Sequence, residues 1–152
     1  EFLEYDLTRL VYRLANPERP AIGLLTRLPL DGAPQFDPMT RQPRMEPGWV
    51  VTEQVRQLFD VRSVPWTTDA IDAEIDVLMI VHPKDLPRET LYAVDQFVLR
   101  GGRALVFLDP FCEADRPAQD PSNPMASMGA KRSSDLEPLL SAWGLRMATD
   151  DV

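Results

Sequence analysis

The sequence predicts an α/β domain: three layers, αβα, built on a doubly wound and mainly parallel sheet, with a further helix at the N-terminus. Three observations predict it. Two segments, Ile75 to Val81 and Arg103 to Leu108, are rich in continuous Val, Ile and Leu rather than alternating, as in strands buried on both faces. A segment with helical apolar spacing lies between them and closes on Gly101 and Gly102, so the two strands are joined by a crossover and run parallel. Each run stops at a polar residue followed by proline, His82-Pro83 and Asp109-Pro110. Those groups therefore meet at the carboxyl ends of neighbouring strands, the edge at which open α/β sheets bind ligands.

The elements follow in order. Leu3, Leu7, Leu10, Val11 and Leu14 share one face of a helix that Asn16-Pro17 ends, and residues 1–16 read as a connector as readily as core. Pro20 to Thr26 is the first strand. A Pro-rich polar stretch follows, Pro29 to Gly48, then a helix over about Trp49 to Phe59 with Val51, Val55, Leu58 and Phe59 on one side. Asp60 to Val64 alternates and ends at Pro65, which suits an edge strand, and Trp66 to Glu74 is an acidic connector.

After the Ile75 strand, Pro87 suits the first turn of a helix whose buried stripe is Leu91, Val94, Phe97 and Val98. The Arg103 strand leads into a long loop, Phe111 to Ser133. Ser134 to Glu137 has the form of a capping box, Leu136, Leu139, Leu140 and Trp143 make an apolar face, and Gly144 supplies the stop. Leu145 to Ala148 reads as the start of a fifth strand. Right-handed crossovers then give the order 2-1-3-4-5, a flavodoxin-like arrangement with its switch point between the first and third strands. Both long loops exceed the usual ~12–15 residue ceiling and leave carboxyl strand ends, so they frame one edge.

At 152 residues the chain reads as a single α/β domain, large enough for a core without disulfides or metal. A net charge of −8 disfavours nucleic acid and anionic membrane surfaces as partners. No apolar run approaches the roughly 20 residues needed to cross a bilayer. The opening at Glu1 inside helical periodicity, and the end at Val152 after a starting strand, read as a fragment of a longer protein whose anchors lie elsewhere. One cysteine excludes an internal disulfide.

Cys112, just past a strand, stands roughly where class I glutamine amidotransferase-like folds place a nucleophile. Its neighbours Pro110, Phe111 and Glu113 are not the small residues of a nucleophile elbow, and activation would need His82, the one histidine. His82 has no His or Cys companion for a metal, and its expected role is a hydrogen bond that orders the turn to Lys84. Asp109 would orient a ligand or accept loop N–H groups. Gly101 and Gly102 end a helix before a strand, the reverse of a dinucleotide fingerprint. Asp95 is expected to face solvent or pair with Arg100 or Lys84. Met39, Met45, Met125 and Met128 lie in the long loops and offer an adaptable apolar lining.

Leu3 to Leu14, His82 to Lys84, Thr90 to Gly102 and Leu105 to Pro110 together resemble the auxiliary, substrate-binding-like component of gliding-motility-type ABC transport systems of bacteria. The resemblance implies a membrane-anchored protein whose soluble region lies on the periplasmic face of the inner membrane beside a permease and an ATPase. It also implies an amidotransferase-like fold similar to that of an intraflagellar transport subunit, without catalysis and with a surface used for assembly. The expectation is a non-catalytic domain, free of cofactor and metal, that binds a small molecule, peptide or partner at the edge formed by Asp31, His82, Lys84 and Asp109. The alternatives are an assembly scaffold with no small-molecule site and a Cys112-dependent hydrolase or amidotransferase.

Overall fold

The computed structural model describes residues 3–15, 17–36, 42–115 and 131–147. Its centre is a sheet of four parallel strands, β1 (Ala21–Thr26), β4 (Asp60–Ser63), β5 (Val77–Val81) and β6 (Arg103–Phe107), in the order β4-β1-β5-β6. This is the doubly wound α/β arrangement expected, with the order reversing direction at β1. Register pairs Ile22 with Val61 and Val77, and Met79 with Leu105, so side chains alternate between the two faces in step across all four strands.

One face carries most of the core. Leu25, Leu78 and Ile80 are fully buried there, beneath Val94 and Phe97 of α3 (Arg88–Leu99), Leu139 and Leu140 of α4 (Glu137–Ala142), and Val64, Ile71 and Ile75 of the crossover from β4 to β5. That crossover has no helix and lies close against the sheet. A Cβ at Gly23 would meet Ile75 Cδ1 at 2.7 Å, so glycine in the middle of β1 is what allows the approach. On the other face, α2 (Val50–Leu58) packs by β4, and α1 (Leu3–Ala15) is tied to it by Arg9 and Arg13, which donate to the Gln57 side chain and carbonyl.

Cover on this second face is uneven. Ile22 and Leu24 are buried, Met79 is half-buried, and Leu105 and Phe107 on β6 are 48% and 50% exposed. The apolar stripe of α1 is likewise exposed, although its helix forms as expected.

Several expectations change. The stretch from Pro29 to Gly48 contains a hairpin, β2 (Ala33–Phe36) against β3 (Pro43–Glu46), paired antiparallel. It is closed at its base by Gly32 at φ 88°, where a Cβ would strike the Glu46 carbonyl. Pro34 and Pro43 inside the strands hid them, because a two-stranded ribbon tolerates proline wherever the backbone position has no ladder partner to donate to. On α2, Val51 is exposed and Thr52 is buried, so the inward face is rotated from the one expected. Pro87 occupies the N-cap of α3 rather than its first turn. The expected fifth strand is not a strand where described, at Leu145 to Met147; Ala148 lies outside the described residues. So do Met39, Met125 and Met128 and most of the second long loop.

Candidate functional site

The two crossovers leave β1 and β5 on opposite sides of the sheet, so their carboxyl ends open a space between them. From β5 the chain continues through His82, whose N–H donates to the Phe107 carbonyl at 3.0 Å and extends the β5–β6 ladder by one residue. His82 then takes φ 50°, and Asp85 takes φ 53°. Such values are uncommon for residues other than glycine, and here a buried side chain holds the turn.

His82 is turned inward. Its Nδ1 lies 2.9 Å from Ser134 Oγ and its Nε2 lies 3.3 Å from Asp115 Oδ2. Asp115 in its ionised form can only accept, so Nε2 presents its hydrogen to that carboxylate, while Ser134 Oγ accepts the Asp109 N–H at 2.9 Å and shares a hydrogen bond with Nδ1. Lys84 Nζ donates to the same Asp115 Oδ2 at 2.6 Å. Burial pushes the Asp115 carboxyl up, but Lys84 first and His82 second outweigh it and hold the group below the usual carboxylate range.

Asp115 belongs to two places at once. It closes this network, and it forms one wall of a cleft of about 290 Å³. Arg27, Leu28 and Pro29 beyond the end of β1 line it as well, with Ala33 and Glu46 of the hairpin, Trp49 ahead of α2, and Ala114 completing it. The Arg27 guanidinium lies 4.4 Å from the centre of the Trp66 ring, a cation–π contact that fixes it at the cleft. The cleft thus sits at the topological switch point, with a cation, a carboxylate and an indole within it.

Of the residues singled out from sequence, His82, Lys84 and Asp109 do gather on one rim. His82 and Lys84 act on the cleft through Asp115. Asp109 has a backbone role: its Oδ1 accepts the Phe111 N–H at 2.9 Å and its carbonyl accepts the Ser134 N–H at 2.8 Å. Asp31 is exposed and paired with Arg56 of α2 at 2.8 Å, at the foot of the hairpin rather than in the cleft wall. Asp95 neither faces solvent freely nor pairs with a cation: its Oδ1 accepts the Trp143 indole N–H at 3.0 Å and joins α3 to α4.

Cys112 is buried, and desolvation pushes its thiol up, with Asp109 and Asp115 adding to the rise against two backbone hydrogen bonds. Both nitrogens of His82 are committed to Ser134 and Asp115, which leaves the imidazole no acceptor for that thiol. Ser134 is the clearest misreading. Its hydroxyl does not cap α4, whose N-cap is Leu136 without a side-chain bond, because Asp109 and His82 engage it instead. Asp115, Arg27 and Trp49 were passed over. For Arg27 a signal existed, since a cation directly after the first strand falls at the rim by topology alone.

Among the described residues no group of three or more His, Cys, Asp or Glu side chains is arranged to hold a metal ion, and no helix is long and apolar enough to cross a membrane. Comparison with known families finds one match, to a family described as an ABC-type uncharacterized transport system, over residues 19–152. Neither a curated protein nor a solved structure matches the chain significantly.

Proposed function

This chain belongs to the auxiliary family of ABC-type transport systems, and on that premise we propose that it is the system's non-catalytic recognition domain, binding a small ligand in the cleft at the carboxyl rim of its sheet. The observation that carries this reading is the position of the cleft, at the switch point of a doubly wound sheet, with Arg27, Trp49 and Asp115 converging from three separate segments. In this reading the domain works on the extracytoplasmic side of a bacterial inner membrane, next to a permease and an ATPase, and is anchored through segments outside this chain. The raised thiol of Cys112 and the committed nitrogens of His82 favour recognition over covalent chemistry.

A thermal-shift screen of sugars, amino acids, peptides and lipid head groups tests it. A ligand selective for the native state raises the melting temperature, and Trp49→Ala should remove the rise. A panel that leaves the melting temperature unmoved at millimolar concentration would sink the reading.

A second reading has its own support. Leu105 and Phe107 stand half exposed on β6, and Leu3, Leu7, Leu10 and Leu14 of α1 are exposed as well, as expected of a scaffold that assembles with other proteins of the system. Retention of a partner protein by the wild type, and its loss in Phe107→Glu, would select this reading.

A further inference from the structure

We infer that the cleft takes a small zwitterion with a free ammonium and a free carboxylate, of the size of an amino acid or dipeptide; this deepens the rim-binding reading above and rests on it. At one wall, both donors that reach the Asp115 carboxylate, Lys84 Nζ and His82 Nε2, meet at Oδ2. Among the described residues no donor reaches Oδ1, so a carboxylate held in place by a buried network still has an acceptor for an N–H group. In the part of the lining that follows β1, Arg27 is seated on the face of Trp66 and makes no ion pair among the described residues. Stacking uses the flat face of a guanidinium and leaves its N–H edge for a planar anion such as a carboxylate.

Charge balance selects against simpler ligands. A bare anion would meet Asp115, and a bare cation would meet Arg27 with Lys84 behind Asp115. A dipolar ligand satisfies both charges together. Leu28, Pro29 and Trp49 of the same lining supply apolar surface for a side chain. The volume, about 290 Å³, is at the lower limit of the ~300–1,000 Å³ of small-molecule sites, which suits an amino acid or dipeptide better than an oligosaccharide or a lipid.

The experiment titrates the chain by calorimetry with glycyl-leucine, its N-acetyl form, its C-terminal amide and glucose, with backbone amide shifts of Arg27, Trp49 and Ala114 as a second readout. Expected is binding of the free dipeptide, weakened about tenfold or more by blocking either end. Asp115→Asn, which keeps an acceptor for Lys84, should abolish the preference for the free amine, and Arg27→Gln should abolish the preference for the free carboxylate. Should Asp115→Asn fail to fold, the exposed Arg27 variant and the blocked dipeptides still decide. Equal binding of free and blocked dipeptides, or binding of glucose alone, overturns the zwitterion and leaves the rim-binding reading standing. Unmoved amide shifts with all four probes remove both.

Discussion

Ser134 Oγ serves two groups at once, the Asp109 N–H and the Nδ1 of buried His82. Ser134→Ala leaves both without a partner, and each such orphan costs about 1–3 kcal/mol. Urea denaturation should therefore show a loss of about 2–6 kcal/mol for the two together, while Ser141→Ala on the exposed side of α4 should change little. Asp115 gives the network a pH dependence of definite sign. Its carboxyl is depressed in the folded chain, so the unfolded chain takes up the proton first; the stabilisation is complete above the ordinary value of 3.8 and is lost as pH falls through the folded value. Denaturation followed from neutral to acid pH should be less steep for Asp115→Asn than for the wild type. Cys112 gives a third expectation, with its thiol buried and pushed up: at neutral pH iodoacetamide should label it far more slowly in the folded chain than in urea, and Cys112→Ala should bind the same ligands.

Residue roles of this kind were the least legible from sequence. The spacing of Ser134 and Glu137 does match a capping box, but a hydroxyl has one hydrogen, and which acceptor receives it depends on partners 25 and 52 residues away. Strand interiors were legible for the converse reason. Val77 to Val81 is apolar at every position, fully buried at Leu78 and Ile80 and half-buried between them, so the strand announces itself whatever lies around it.

At the scale of elements, helix ends carry the clearest local rules. Gly102 N–H donates to the Phe97 carbonyl and Gly101 N–H to that of Val98, and Leu145 and Gly144 repeat the pattern on Leu140 and Ser141, so α3 and α4 both end in Schellman motifs. The two glycines of the first motif have different duties. Gly101 takes φ 89° with open space around it, whereas a Cβ on Gly102 would lie 2.5 Å from the Phe97 carbonyl and ring. Gly101→Ala should cost about 1–2 kcal/mol through backbone strain alone. Gly102→Ala should cost more, since Phe97 belongs to the core and must shift, and thermal melts of the two variants would rank them. The rotated face of α2 was hidden because Val50, Val51 and Val55 leave several apolar arcs open, and only packing against β1 and β4 chooses among them.

For the whole molecule, the central fact is a sheet with one well-covered face and one covered only over β1 and β4. Phe107→Glu changes a half-exposed site on the uncovered side and should alter stability by no more than about 1 kcal/mol. It should at the same time raise solubility, measured as the concentration at which the chain precipitates. The doubly wound order was legible because crossover handedness leaves few topologies once the apolar runs are placed. The cleft was not, because Pro29, Ala33 and Glu46 come from a stretch that sequence describes only as polar and Pro-rich, and Ala114 and Asp115 from one it describes only as a long loop.

The margins of the sheet differ in kind. Along β4, Arg62 is joined to Asp60 at 2.8 Å and to Glu74 at 2.9 Å, a fringe of charge that turns away any incoming strand. Among the described residues, β6 carries the exposed Arg103 at its start and no ion pair along its length. Extension of the sheet strand by strand is thereby opposed along the β4 margin, so a ribbon growing from both sides of it at once is disfavoured.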